Sequence, residues 1–84
     1  MDTINVSEED LKSFHKTISA NVTKIRKQKK VSQLELATTI GHSSGTFIGK
    51  AEILADNKHF NLEHLYKISL ALDVSICDFF EPIN

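Results

Sequence analysis

The chain predicts an all-α fold, a compact domain of five helices. Three observations lead there: apolar residues recur at spacings of three and four from Leu11 to Leu72, a capping residue precedes each apolar run, and no stretch carries a convincing strand pattern. Its 84 residues, 40% hydrophobic and 25% charged, suit one small globular domain and leave no room for a second core. Internal repeats, low-complexity tracts and proline-rich linkers are absent, and the single proline, Pro82, stands at the end of the chain.

The first helix starts from Ser7, an N-cap with Asp10 as its capping-box partner. Leu11, Phe14, Ile18, Val22 and Ile25 then step by three or four to about Lys29. The second starts from Ser32, whose hydroxyl can take up free backbone N–H groups, with Glu35 three residues on. Leu36, Ala37 and Ile40 form a short inner face, and Gly41 follows where a left-handed residue closes a helix after about two turns. Ser43 or Ser44 can cap the third, over about residues 44–55. Phe47, Ile48 and Ala51 provide its apolar side, while Thr46, Gly49 and Lys50 are left facing outward. A polar turn, Asp56-Asn57-Lys58-His59, leads to Asn61, the cap of a fourth helix carrying Leu62, Leu65, Tyr66, Ile68, Ser69 and Leu72 as far as Asp73. Ser75 caps a last single turn in which Phe79 and Phe80 plug one end of the core.

Charge is distributed unevenly. The total is −1, yet residues 12–67 hold all ten Lys and Arg against four acids, Glu35, Glu52, Asp56 and Glu63, a local excess of six positive charges. The other acids lie at the two ends, so the chain runs acidic, basic, acidic. The densest basic cluster, Lys24, Arg26, Lys27, Lys29 and Lys30, precedes the second helix. Such side chains either displace counterions from phosphates or simply favour a helix C-terminus. No apolar run approaches the ~18 residues of a membrane span, and the acidic start lacks the features of a signal peptide, so a cytoplasmic protein is expected. Cys77, the only cysteine, can form no internal disulfide and reads as a buried thiol.

The stretch Val31-Ser32-Gln33, Glu35-Leu36-Ala37, Ile40-Gly41, Ser43 or Ser44, then Ile48 and Glu52 resembles the helix-turn-helix of the phage-repressor/Cro (XRE-type) transcriptional regulators. Val22, Ile25 and Arg26 upstream, and Leu62, Leu65, Ile68, Ala71, Leu72, Val74 and Phe79-Phe80 downstream, extend the likeness over roughly residues 20–80. Under this resemblance residues 1–20 are an N-terminal tail and helix extension, 21–80 a repressor-like core and 81–84 a C-terminal tail of one domain. The family's first helix begins near Asn21, so the added turns must bury Leu11, Phe14 and Ile18 against a second copy or against the domain itself.

The resemblance implies a sequence-specific regulator of transcription that binds double-stranded DNA as a homodimer. The third helix would lie in the major groove, where base pairs present distinct donor and acceptor patterns. Its N-terminal residues, from Ser43 on, reach the base edges, and the family's reading positions fall on Ser44, Gly45, Thr46 and Lys50. Lys50 could donate to guanine and the Thr46 methyl could touch a thymine methyl. No Arg, Gln or Asn occurs between Gly41 and Glu52, so direct readout is thin and DNA shape carries part of the specificity. Gln33 falls where the family clamps the phosphate backbone, and Asn57, Lys58 and His59 are further backbone candidates or an ordinary solvated turn. Arg26 and Glu52 are implied to form a structural ion pair between the first helix and the reading helix.

The chain departs from the family in two turns. It is one residue longer from Gly41 to Glu52 and about two longer from Glu52 to Leu62, where the usual glycine is missing. Gly45 and Gly49 each weaken a helix by roughly 0.5–1 kcal/mol relative to alanine, though Gly49 could serve a close approach.

No enzyme, cofactor or metal is expected. His15, His42, His59 and His64 show no ligand spacing, and Ser43 and Ser44 beside His42 are better explained by turn and cap chemistry. The alternative is a protein-binding adaptor or antitoxin-like module on the same fold, engaging a partner protein through the acidic ends or the extended first helix.

Overall fold

The computed structural model describes residues 2–83, and among them the secondary structure is all-α, without strands. Four α-helices, α1 (Glu8–Gln28), α2 (Gln33–Thr39), α3 (Thr46–Ile53) and α4 (Leu62–Leu72), are joined by short connections. One 3₁₀ turn, Ala55–Asn57, follows α3, and a second, Ile76–Phe80, stands where the sequence predicts a fifth α-helix. Five residues after the Ser75 cap are too few to propagate an α-helix, and the tighter 3₁₀ winding is the usual form of so short a piece.

α1 is a single helix of 21 residues, as the apolar spacing predicts. Ser7 Oγ accepts the Asp10 N–H at 3.0 Å, and Glu8, Glu9 and Asp10 in the first turn oppose the positive end of the helix dipole. Its C-terminus closes without glycine. Lys30 takes a left-handed φ of 59° while Val31 N–H returns to Arg26 O at 3.1 Å and Lys30 N–H to Lys27 O at 3.0 Å, the doubly bonded Schellman exit. α2 leaves by the same route at Gly41, with φ of 97° and His42 N–H bonded to Ala37 O at 2.8 Å. Both reciprocal bonds of the Ser32–Glu35 capping box are present at its start. α4 has an equivalent box in which His64 replaces the expected Glu or Gln.

Ile18, Val22 and Ile25 from α1, Leu36, Ala37 and Ile40 from α2 and its end, Ile48 and Ala51 from α3, Leu65, Ile68 and Leu72 from α4, with Phe60 and Phe79, form one buried cluster. α1 lies against both α3 and the C-terminal 3₁₀ turn, so it is the spine of the domain. Two buried polar side chains fix its docking, and neither is marked by any sequence pattern. Ser19 Oγ donates to Ala51 O at 2.8 Å, and Asn21 Nδ2 donates to the carbonyls of Phe79 at 3.0 Å and Glu81 at 2.8 Å.

Several side chains sit elsewhere than the sequence predicts. The Cys77 thiol is exposed, because the 3₁₀ turn directs Phe79 inward and leaves Cys77 on the opposite side. Phe80 is also partly exposed and meets Phe14 at a ring separation of 6.4 Å. Ile18 of the α1 extension is buried in the core, but Leu11 and Phe14 remain about half exposed, so only the first turns of the extension overhang the core. Leu62 and Tyr66 lie on the outer face of α4, since 100° per residue carries them away from the side that holds Leu65, Ile68 and Leu72.

Replacing Asn21 by alanine leaves the Phe79 and Glu81 carbonyls without their donor. The expected loss is about 2 kcal/mol, roughly 10 °C in a domain of this size. Thermal unfolding followed by circular dichroism checks it, and an unchanged midpoint would show that the bonds contribute nothing.

Candidate nucleic-acid interface

α2 and α3 are two short helices joined by a tight turn, and one polar network ties both of them to α1. Arg26 on α1 grips Glu52 on α3 with two bonds, Nε to Oε2 at 2.7 Å and Nη2 to Oε1 at 3.0 Å, and donates from Nη1 to Val31 O at 2.8 Å. The two side chains are 8% and 4% exposed, so the pair is buried and every charged edge has a partner. Gln33, at the start of α2, adds a third donor to the same carboxylate, Nε2 to Oε1 at 2.9 Å. Three helices therefore meet at Glu52, and the ion pair implied by the resemblance is present.

The glycines of this region serve the same junction. A Cβ on Gly49 would stand 3.2 Å from Gln33 Oε1, and one on Gly45 would stand 3.2 Å from the backbone N of Leu34. Gly49 leaves the space across which Gln33 reaches Glu52. Gly45, one of the expected base readers, is turned toward the α2 backbone at the N-cap of α3, where it makes no side-chain cap bond.

α3 is shorter than predicted. It begins at Thr46, because Ser44 Oγ approaches the Thr46 N–H only at 3.5 Å and Ser43 provides no cap. It ends at Ile53, where Leu54 turns left-handed at φ 57°. Asp56 and Asn57 are left-handed too, at 53° and 58°, so the lengthened turn lacking a glycine is built from strained residues. Ser43, Ser44 and Thr46 are exposed. Lys50 is engaged: its Nζ lies 2.8 Å from Asp56 Oδ2, and the ammonium holds that carboxyl below its ordinary pKa. The curl of the strained turn returns Asp56 to Lys50, a pairing without a local spacing signature. Asn57 and Lys58 are exposed on the wall of a groove of about 490 Å³ opposite Leu11, Lys12 and His15 of α1, apart from the Gln33–Glu52 junction.

The four histidines fall into two sets of ring contacts, a grouping the sequence does not signal. His15 stacks on His59 at 4.1 Å, and His42 stacks on Phe47 at 4.9 Å with His64 at 4.5 Å from the same Phe47 ring. Among the described residues no three His, Cys, Asp or Glu side chains converge as metal ligands would. The rings have structural work instead: His64 Nδ1 accepts the Asn61 N–H at 3.1 Å, and only the unprotonated nitrogen can do so. Burial, then the neighbouring His42, lowers the His64 pKa, with Lys67 and His59 acting the same way and Glu63 opposing. Burial, then His59, lowers that of His15, whose Nδ1 is buried without a hydrogen-bond partner.

No helix among the described residues is long and apolar enough to cross a membrane. Comparisons with models of protein families, with curated proteins and with solved structures found no match to this chain.

A histidine pKa lowered in the folded state means that the unfolded chain binds protons first as pH falls. Stability is present in full above the ordinary imidazole value near 6.5 and is lost as pH falls from there through the lowered folded values. The melting temperature should fall between about pH 7 and pH 5. His64→Gln, which keeps a capping acceptor and removes the titration, should flatten that fall. An equally steep profile in His64→Gln would exclude the cap as its source.

Proposed function

We propose that this protein is a sequence-specific, double-stranded DNA-binding regulator of transcription, a repressor-like helix-turn-helix domain that presents the start of α3 to the major groove. The observation that carries the reading is the Arg26–Glu52–Gln33 network. It fixes α3 against α1 and α2 by bonds made entirely on its inner side, leaving Ser43, Ser44 and Thr46 exposed at its leading end. Rigid presentation of a short helix is what base readout in a groove requires. The ordered match of residues along the helix-turn-helix, and the excess of six positive charges over residues 12–67, support the same reading.

In this reading Gln33 contacts a phosphate while Glu52 holds its amide in place, and Lys58 and Asn57 contact the backbone further along. Lys50 reads a base only after exchanging Asp56 for DNA, so its contribution is a competition between a carboxylate and a base edge. With Gly45 facing α2, the direct readers reduce to Ser43, Ser44, Thr46 and Lys50. Regulators of this kind act as homodimers on two half-sites about one helical turn apart, ~34 Å, in the cytoplasm.

A second reading, a protein-binding adaptor or antitoxin-like module, is favoured by one observation. Leu11 and Phe14 on the extension of α1 are 51% and 55% exposed, a stripe that a partner protein could cover.

Selection from random DNA followed by titration in salt separates the two. DNA recognition predicts an enriched motif and a log–log salt slope of about −0.9 per phosphate contacted. Lys58→Ala should reduce that slope by about one, and Lys50→Ala should relax preference at a single position. Folded protein that enriches no motif and does not bind at about 50 mM salt would overturn the regulator reading. A salt-insensitive protein complex abolished by Phe14→Asp would establish the second.

A further inference from the structure

The first turns of α1 meet the turn after α3 through two imidazoles. Glu8, Leu11, Lys12 and His15 recur at three and four residues and so share one face of α1, and Leu54, Asn57, Lys58 and His59 form the other wall of the groove beside them. The His15 and His59 rings join the two walls. They are stacked with 4.1 Å between centroids and 28° between planes, and Phe14 stands edge-on to His15 at 5.9 Å.

The turn that this stack holds is strained. Leu54, Asp56 and Asn57 have φ of 57°, 53° and 58°, left-handed values that residues with a Cβ keep only where their surroundings over-determine them. Two side-chain ties contribute to that hold, Lys50 of α3 on Asp56 and His15 of α1 on His59.

The two ties respond differently to acid. The Lys50 ammonium keeps the Asp56 carboxyl below its ordinary range, so that pair stays charged in mildly acidic solution. His15 has no such provision. Its Nδ1 is buried and has no hydrogen-bond partner among the described residues, which suits a neutral ring carrying its proton on Nε2. An imidazolium donates from both nitrogens, so protonating His15 in place would bury an N–H with nothing to receive it, against a second imidazole 4.1 Å away. The surrounding charges do not compensate. Lys12 and Lys58 line the groove against Glu8 alone, Asp56 is committed to Lys50, and the group of α4 that feels the charge of His59 is another imidazole, His64. Parting the rings lets His15 take its proton in water. Burial and then His59 lower the pKa of the stacked ring, so the closed form is complete above the ordinary value near 6.5 and is lost as pH falls through the lowered one.

We propose that the His15–His59 stack is an acid-sensitive latch: at neutral pH it fastens the turn after α3 to the first turns of α1, and in mild acid protonation of His15 parts the rings and frees Asn57, Lys58 and His59 while the domain stays folded. The freed turn swings on Asp56, which Lys50 still holds. On the regulator reading this withdraws Asn57 and Lys58 from the phosphate backbone, but the latch is a property of the domain alone and stands or falls without DNA.

Two-dimensional NMR of the full chain between about pH 7.5 and pH 5, without DNA, tests it. The Overhauser contact between the His15 and His59 rings should weaken and be lost toward the acid end. The amides of residues 11–16 and 54–59 should shift together with one midpoint below 6.5, while those of Val22, Leu36 and Ile68 hold their positions. His15→Phe, a ring that stacks and takes no proton, should keep the turn closed across the range. His59→Phe, which removes the second imidazole, should move the midpoint up toward 6.5. Rings that remain in contact at the acid end would overturn the proposal, as would turn amides that move as far in His15→Phe as in the parent protein. Core amides that move with the same midpoint as the turn would overturn it too, because the event would then be unfolding of the domain and not release of the turn.

Discussion

Placing a charged pair inside a domain of 84 residues is costly, and the architecture is organised around satisfying it. Arg26 and Glu52 sit where α1, α2 and α3 converge, and between them they make bonds to both ends of the α1–α2 connection as well as to α3. Glu52 accepts three donors and Arg26 uses Nε and both terminal nitrogens, so the desolvation of each is offset by hydrogen bonds that fit only one arrangement of the helices. An apolar contact of equal area would tolerate sliding. This junction does not, because a shift of α3 by one residue would rotate Glu52 by about 100° away from Arg26.

The remaining features of the α2–α3 pair follow from that anchor. Arg26 also takes the Val31 carbonyl, which pins the exit from α1 and hence the start of α2. Gln33 then stands above Glu52, and Gly49 lacks a side chain at the point where Gln33 crosses α3. α3 is thereby fastened at its C-terminal half, while Ile48 in the core, Phe47 against His42 and His64, and close backbone packing at Gly45 hold its leading half and leave Ser43, Ser44 and Thr46 at the surface. Beyond α3 the chain turns through three left-handed residues, and the Lys50–Asp56 pair and the ring contacts of His59, Phe60 and His64 hold this strained connection in place.

Much of the scaffold was legible in the residues because its determinants are local. The spacing of Ile18, Val22 and Ile25, the Ser32–Glu35 and Asn61 caps and Gly41 define α1, α2 and α4 within a residue or two of their observed ends. α3 was less legible. Ser43 and Ser44 both look like caps, but Gly45 takes the N-cap position without a side-chain bond, and Leu54 adopts a left-handed conformation that its side chain disfavours. At the candidate site, Arg26–Glu52 was reachable only by resemblance, since 26 residues separate the partners. Gln33–Glu52, Lys50–Asp56, the histidine contacts and the Asn21 and Ser19 bonds depend on tertiary placement and leave no mark in spacing. Cys77 and Phe80 show the limit in the other direction, for a short apolar segment does not reveal which of its residues face inward when it winds as 3₁₀ rather than α.

The central claim is that Arg26 and Glu52 act as one unit that positions α3. A double-mutant cycle with Arg26→Met and Glu52→Met, measured by urea unfolding, tests it most directly. Each single variant strands a buried charge and is expected to lose about 3–5 kcal/mol. The double variant, with two apolar side chains in the same space, should recover most of that loss, for a coupling of at least about 2–3 kcal/mol. Single variants as stable as the parent protein, or a double variant whose loss is the plain sum of the two, would contradict it.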